Sequence, residues 1–377
     1  MLTLIVFLVI LGLLVFVHEL GHFVVARRNG IKCDEFGFGF PPRAIGVFKN
    51  EKKGKWQLVV GNKHVESKNT IYSLNWFPLG GFVKIKGEDG EGKKEKDSFA
   101  SKTAWVRIKV LAAGVTMNFI LAWVLFSWLL TMGINQEVDQ DDTTVSGTKI
   151  QIVTVAPKSP AYEMGIREGD TVVKCEGADV ICGNGFANIA ELQSFVAENK
   201  GKEITLQISR GNDVLEFTGT PRSEAPEGEG LLGVGLAQTI FVKYSLWEAI
   251  KQGPVVMWNV LIMMGIVIGS LFAGDTTNIG GPLAIAHFTK QATALGFASV
   301  VQLAALLSIN LGIVNILPIP ALDGGRILFV LIEKIKGSPV SQETEGTMHT
   351  IGFFLLMLLM VYLVVHDLMR YGLGGIF

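Results

Sequence analysis

The stretch VFVHELGHFVVARR, residues 15–28, decides the fold of this chain. Two histidines and one glutamate interrupt an apolar run that starts at the first residues and continues to position 26. At about 1.5 Å per helical residue, such a run is long enough to span a hydrocarbon core of about 30 Å. Each ionisable side chain inside hydrocarbon costs about 3 kcal/mol or more. A partner inside the protein must therefore offset the cost of these three side chains.

The composition is typical of membrane proteins. Of the 377 residues, 49% are hydrophobic, the mean hydropathy is +0.42, and the apolar residues are gathered into long blocks. The formal net charge of -1 provides no basic surface, so we expect a lipid bilayer and no nucleic acid among the partners. The sequence predicts a polytopic α-helical membrane protein.

Four apolar blocks are predicted to form transmembrane helices. Arg27, Arg28 and Lys32 follow the first block, so the positive-inside rule places that end in the cytoplasm and the N-terminus outside. Four crossings place both termini on the outer side of the cell membrane. The four blocks are residues 1–26, 105–133, 297–326 and 349–370.

Three more polar regions separate these blocks. Residues 27–104 carry short β-type runs and are predicted to form a β-rich, membrane-associated hairpin region on the cytoplasmic side. Residues 149–222 combine strand patterns with an amphipathic helix in an order that resembles an extracytoplasmic PDZ domain. Any other small α+β module is the alternative for that region. Residues 240–296 are predicted to be amphipathic and interfacial.

The three cysteines, Cys33, Cys175 and Cys182, are too few and too scattered for a disulfide scaffold or a thiolate metal site. An oxidising compartment would allow Cys175 and Cys182 to pair. We expect instead that both are small apolar side chains without a chemical role.

The string HELGH, residues 18–22, has the pattern H-E-x-x-H of zinc hydrolases. Residues i and i+4 share one helical face, so His18 and His22 can both bind one Zn²⁺ while Glu19 stands beside the site. Alternatively, neighbouring helices satisfy the two histidines, but this does not explain the accompanying glutamate. A bound dication would offset the cost of burying these side chains.

A catalytic zinc site needs three protein ligands and an open position for water. Asp323 is the best third ligand, because it follows an apolar block in NILPIPALDGGR, residues 315–326, where two glycines permit a tight turn. The other histidines have no partner at ligand spacing and are expected to be ordinary polar or interfacial residues: His64, His287, His349 and His366.

This ligand set also decides the number of crossings. Residues 255–272 are apolar enough to span, but a fifth crossing there would carry Asp323 to the outer surface. His18 and His22 lie within about 15 Å of the cytoplasmic end of the first helix. We therefore expect residues 255–272 to lie along or dip into the outer leaflet.

Several motifs carry a family resemblance, namely HELGH (18–22), FPLGGFVKIKGE (77–88), GVTMN (114–118), GGPLAIA (280–286) and SINLGIVNILPIPALDGG (308–325). Together they resemble the bacterial site-2 proteases, intramembrane zinc metalloproteases of the regulator-of-sigma-E protease type, over nearly the whole chain. One departure is that some members carry two tandem PDZ domains, whereas this chain has room for one.

The resemblance implies a site-2 protease core with Zn²⁺ bound by His18, His22 and Asp323 and with Glu19 as the general base. It also implies two asparagines that hold the substrate backbone, Asn310 and Asn315, and two residues that support the site, Gly114 and Asn118. An edge strand near the site could capture an extended substrate segment by β-augmentation. The candidates for that strand are Gly81, Phe82 and Val83, and the alternative is a plain surface hairpin.

These features predict an enzyme that cuts the transmembrane segments of single-pass membrane proteins, such as anti-sigma factors or signal-peptide remnants. One alternative is a non-catalytic membrane scaffold that binds partners through its PDZ-like domain, which the intact glutamate disfavours. A metal transporter is the third hypothesis, since membrane histidines and carboxylates also line ion paths. The soluble domain and the single ligand cluster argue against it.

Overall fold

The computed structural model describes residues 2–50, 54–63, 65, 67–90, 92–137, 148–176, 181–182, 186, 188–211, 213–226, 228–272, 280–338 and 340–376. The chain forms two compact units. One unit combines Met1–Ser127 with Ile250–Phe377, and the other is Trp128–Ala249.

The secondary structure alternates long helices with two groups of strands. The described α-helices are α1 (Leu2–Arg28), α2 (Ala104–Met132), α3 (Pro160–Met164), α4 (Ile189–Glu198), α5 (Leu246–Phe272), α6 (Pro282–Leu295), α7 (Phe297–Ile316), α8 (Asp323–Lys336) and α9 (Gln342–Ile376). The described strands are β1 (Cys33–Lys49), β2 (Trp56–Val60), β3 (Ile71–Ile85), β4 (Ile134–Glu137), β5 (Lys149–Val155), β6 (Thr171–Glu176), β7 (Ile181–Cys182), β8 (Ile204–Arg210), β9 (Asp213–Gly219) and β10 (Val234–Val242).

Long apolar helices dominate the first unit, as a polytopic helical membrane protein requires. Among the described helices, α1, α2, α5, α7 and α9 are long and apolar enough to cross a membrane. Four crossings are expected from the sequence, and the additional helix of this kind is α5, which contains residues 255–272. Length and composition alone do not tell a spanning helix from one that lies in the interface.

The block predicted at residues 297–326 forms two helices joined by a loop. α7 ends at Ile316, and α8 begins at Asp323. Pro318 and Pro320 lie in between, and proline lacks the amide hydrogen that a continuous helix needs. The loop therefore places Asp323 in the first turn of α8, where the unpaired amides of the helix favour a carboxylate.

The sheet of the first unit has the strand order β2-β1-β3. Strand β3 bends and borders β1 twice, since Phe36 is paired with Tyr72 on one side and with Val83 on the other. One face of the sheet is apolar and exposed, with Ile45 paired to Val60 and Leu74. The exposed apolar residues of the sheet include Phe38, Val47, Trp56, Leu58, Tyr72 and Trp76.

Polar side chains of the same sheet are buried. Arg43 is 7% exposed, and its Nε donates to Oε1 of Glu35 at 2.8 Å. Asn75 is 5% exposed, and its amide donates to the carbonyl oxygen of Gly39 at 2.8 Å. The same sheet also buries Phe36, Phe48 and Ile71, so its buried side is mixed and its exposed side is apolar. Exposed apolar surface of this kind suits contact with lipid or with a partner.

In the second unit, the described strands form a sheet in the order β4-β10-β5-β6-β8-β9, with β7 paired to β6. Its core is apolar and includes Ile152, Leu192 and Ile208. α3 begins after Ser159, whose Oγ accepts from the amide of Tyr162 at 3.2 Å. The sheet extends past the predicted range 149–222, because β10 returns to pair with both β4 and β5.

The cysteines differ from the expectation. Cys175 is disulfide-bonded, and its neighbour across the β6–β7 pair is Cys182. The prediction of an inert thiol at position 175 is therefore wrong, because the hairpin brings together residues that are seven positions apart in sequence. Cys33 is a buried free thiol, and burial raises its pKa to about 12.

A buried carboxylate joins the last helix to α6. Asp367 of α9 is 0% exposed and accepts hydrogen bonds from the backbone amides of Gly281, at 3.0 and 3.1 Å, and Ala284, at 2.9 Å. These amides belong to the first turn of α6, where helical N–H groups have no intrahelical acceptor. Asp367 thus caps α6, which packs against α1, α7 and α9.

We expect Asp367→Ala to destabilise the protein by about 2 kcal/mol or more, because it leaves buried amides without acceptors. The measurement is the apparent melting temperature in detergent. Asp367→Asn keeps one side-chain oxygen, so its melting temperature should fall between those of Asp367→Ala and the wild type. Identical melting temperatures for all three proteins would contradict the capping role.

Candidate metal centre

The three predicted metal ligands come together at one buried point. His18 and His22 lie one turn apart on α1 and are 7% and 6% exposed. Asp323 reaches them from the start of α8. Within the described part of the chain, these three residues form the one group of histidine, cysteine or acidic side chains with metal-site spacing.

The distances between the three side chains fit a tetrahedral ion. Nε2 of His18 lies 3.1 Å from Nε2 of His22, and Oδ2 of Asp323 lies 3.0 and 3.3 Å from the two Nε2 atoms. Ligands at about 2.0–2.1 Å from a tetrahedral zinc ion are about 3.3 Å apart. Oδ2 of Asp323 is buried without a hydrogen-bond partner among the described residues. The donor set and its spacing therefore fit Zn²⁺.

The second nitrogen of each ring has a partner on α2. Nδ1 of His22 donates to the carbonyl oxygen of Val110 at 2.8 Å, which leaves Nε2 free to bind a metal. The amide of Asn118 lies 3.2 Å from Nδ1 of His18. Because a side-chain amide can be turned by 180°, its oxygen can accept the Nδ1 proton of His18. Asn118 is fully buried, and its backbone oxygen accepts from Ser308 at 2.7 Å.

Two glycines allow α1 and α2 to approach closely here. A Cβ atom on Gly114 would lie 2.4 Å from Nε2 of His22 and 2.6 Å from the ring of His18. A Cβ atom on Gly21 would lie 2.4 Å from the carbonyl oxygen of Ala113. Small residues permit close helix packing in membranes, and at Gly114 the space opposite holds the two imidazoles.

The other predicted site residues lie outside this cluster. Glu19 is half-buried on α1 next to His18. On α7, Asn310 is exposed and Asn315 is half-buried.

The three candidates for substrate capture lie on β3. Gly81, Phe82 and Val83 are paired with Phe38, Gly37 and Phe36 of β1. This part of β3 has β1 on one side, and the described strands include no partner on the other. Among the described strands, this part of β3 is therefore an edge.

Sequence reasoning missed three groups around the centre. No sequence pattern identifies the carbonyl oxygen of Val110 as a partner of His22. Ser308 lies in an apolar helix without any motif that marks it. His349 donates no ligand to the cluster, but it contacts the loop before Asp323, since the amide of Ala321 donates to its Nδ1 at 2.7 Å. His64 lies outside the described residues.

Comparisons with known proteins agree with this geometry. Residues 6–359 match peptidase family M50. The zinc metalloprotease RasP of Bacillus licheniformis is 30% identical over 98% of this chain and 99% of its own length. The regulator of sigma-W protease RasP of Bacillus subtilis is 30% identical over 98% of both chains. A relative from Clostridium perfringens is 33% identical over 94% of this chain and 95% of its own length.

Long apolar helices that bury two histidines and an aspartate at zinc-ligand spacing define a membrane-embedded metalloenzyme of the hydrolase class. The chain belongs to peptidase family M50, the site-2 proteases. This membership and the names of the relatives confirm the expected class, a membrane zinc metalloprotease.

We expect Gly114→Ala to abolish zinc binding, because the added methyl group would occupy the space of the two imidazoles. Zinc per purified protein, measured by atomic emission, is the readout. The matched control is Gly265→Ala on α5, where a Cβ atom would meet nothing within 4 Å. Full zinc occupancy in Gly114→Ala would show that the imidazoles do not need this glycine.

Proposed function

We propose that this protein cleaves transmembrane segments of single-pass membrane proteins within the bilayer. The observation that carries the proposal is the convergence of His18, His22 and Asp323, two of which lie on a helix that is long and apolar enough to span. The name of one relative, regulator of sigma-W protease, supports membrane-bound regulators of sigma factors as one substrate class. Signal-peptide remnants are the other.

The roles of the side chains follow from their positions. Zinc, when bound, polarises the scissile carbonyl group and lowers the pKa of its water. His18, His22 and Asp323 would hold it, and Val110 and Asn118 keep the two rings oriented through Nδ1. Glu19 is adjacent to His18 but outside the ligand set. Its carboxylate accepts the proton of the attacking water and returns it to the leaving amine.

Water needs a path to a site that apolar helices surround. A cavity of about 200 Å³ is lined by residues of the loop after β3 and of α2 and α8, including Glu88, Arg107 and Arg326. Arg326 is three residues after Asp323, on the same helix. Charged walls keep such a cavity hydrated, which supports entry of water from the cytoplasmic side.

Substrate capture is assigned to the free edge of β3. A substrate helix shields its own amides and must be extended before attack, and an extended segment can pair with an exposed strand edge. Gly81, Phe82 and Val83 form such an edge, and Gly81 lies against Phe16 of α1, about half a turn before His18. Asn310 and Asn315 on α7 would hold the remaining backbone groups of the substrate.

The apolar exposed face of β1, β2 and β3 supports the proposed membrane association of residues 27–104. Three residues of β2 lie on that face and are largely exposed: Trp56 (62%), Leu58 (61%) and Val60 (60%). Exposed apolar surface of this kind marks interaction with a membrane or a partner. Insertion into the cytoplasmic leaflet would place the edge strand at the depth of the metal centre.

The length of the connection between α5 and α6 supports the four-crossing topology. His349 contacts Ala321 near the metal centre, and Asp367 contacts Gly281 about 27 Å further along α9. The carbonyl oxygen of Ile250 contacts Trp123, which is about 13 Å along α2 from Gly114. If α5 crossed the membrane from the depth of Ile250 toward the cytoplasm, its last residue, Phe272, would lie about 47 Å from Gly281. The connecting residues extend about 30 Å at most.

The second unit, Trp128–Ala249, contains the predicted PDZ-like domain. Its order of strands and its short helix α3 after Ser159 support that assignment. In the four-crossing topology this unit is extracytoplasmic and takes no part in the chemistry. We assign it a screening role. It would limit the size of the extracytoplasmic domain that a substrate can carry when it approaches the membrane-embedded unit.

We expect Glu19→Gln to lower proteolysis by about 100-fold or more while zinc remains bound. The assay uses purified protein in liposomes and a synthetic single transmembrane segment, with and without a chelator, and the cut is located by mass spectrometry. His18→Ala is the contrast, because it should lose zinc as well. Near-normal turnover in Glu19→Gln would exclude the base role, and a cut outside the transmembrane segment would contradict the proposed function.

We expect Ser338→Cys, between α8 and α9, to be shielded from a membrane-impermeant thiol reagent in intact cells and to react after permeabilisation. The control is Lys200→Cys in the second unit, which should react in intact cells. Both native residues are exposed. Labelling of Ser338→Cys in intact cells would contradict the four-crossing topology.

A further inference from the structure

The loop between α7 and α8 contains an unusual backbone conformation. Ala321 has φ +80°, and apart from glycines the described residues include one other positive φ, at Lys158. Side chains with a Cβ atom disfavour this left-handed region, and residues held there persist because their surroundings impose the conformation. Ala321 is two residues before Asp323, so the conformation of this loop sets the position of the third metal ligand.

One side chain from α9 holds this residue. The backbone amide of Ala321 donates to Nδ1 of His349 at 2.7 Å. Because Nδ1 accepts, the ring carries its proton on Nε2, which lies 3.7 Å from Oε1 of Glu345, too far for a hydrogen bond. The ring also packs edge-to-face on Phe329 of α8, with 5.5 Å between the ring centres. The orientation of His349 is thus fixed from two sides.

The backbone of α9 also packs closely against this loop at Pro320, the residue before Ala321. A Cβ atom on Gly352 would lie 2.3 Å from the carbonyl oxygen of Pro320. His349 and Gly352 are three residues apart and therefore face the same side of α9. The loop is held between α8 and this face of α9, and the hydrogen bond of His349 fixes its one left-handed alanine.

We propose that His349 is a positioning residue for the metal centre. It holds Ala321 in the left-handed conformation and thereby aims Oδ2 of Asp323 at His18 and His22. The inference rests on the proposed function of those three residues as zinc ligands. Without the hydrogen bond, Ala321 relaxes toward negative φ, and Asp323 leaves the position in which all three ligand atoms converge.

The test measures the rate at which zinc leaves the purified full-length protein in the presence of a chelator. His349→Ala and His349→Gln remove the acceptor at the position of Nδ1, whereas the Oδ1 atom of His349→Asn can take its place. Loss of groups that orient metal ligands costs about tenfold or more in metal affinity, so we expect zinc release at least about tenfold faster in His349→Ala and His349→Gln. His349→Asn should stay close to the wild type.

A second substitution separates positioning from packing. Glycine adopts positive φ without cost, so Ala321→Gly should slow zinc release again when it is combined with His349→Ala. Ala321→Gly alone should match the wild type. The inference fails if His349→Asn releases zinc as fast as His349→Ala, or if Ala321→Gly brings no rescue. If the wild type holds no zinc at His18, His22 and Asp323, the proposed function itself fails, and the two failures are distinct.

Discussion

The structure depends on the burial of two imidazoles and a carboxylate at one point among apolar helices. Unpaired, these groups would be too costly to keep away from water. Their three facing atoms lie 3.0 to 3.3 Å apart, and in our proposal one dication bound by all three offsets this cost. Every element around the site serves this convergence. α1 supplies the two histidines, α2 orients their rings, and the loop before α8 delivers Asp323.

Close packing of α1 and α2 follows from the same requirement. The rings of His18 and His22 fill the space that a side chain at Gly114 would take. The carbonyl oxygen of Val110 then lies within 2.8 Å of Nδ1 of His22. A backbone carbonyl in a helix is already bonded to an amide, yet its second lone pair can accept from a ring nitrogen. The metal centre therefore uses the helix backbone itself as part of its support.

The sheet of β1, β2 and β3 combines a mixed buried side with an apolar exposed side. Its buried side holds the Arg43–Glu35 pair as well as Phe48 and Ile71, and its exposed side holds tryptophan, leucine and valine. In hydrocarbon, exposed apolar side chains cost nothing, whereas polar ones must be paired inside the protein. This arrangement suits the membrane association that we propose for residues 27–104.

The sequence by itself determined the helical membrane class and singled out His18, His22 and Asp323, the three side chains that converge in the structure. These follow from local rules, since i, i+4 spacing on a helix is fixed by geometry and an apolar run of this length suits a bilayer. Only the tertiary structure decided the rest. The carbonyl oxygen of Val110, the contact of His349 with Ala321 and the disulfide of Cys175 each join positions whose approach depends on folding. A lone histidine or cysteine carries no periodic pattern, so its partner can be read only once the chain is folded.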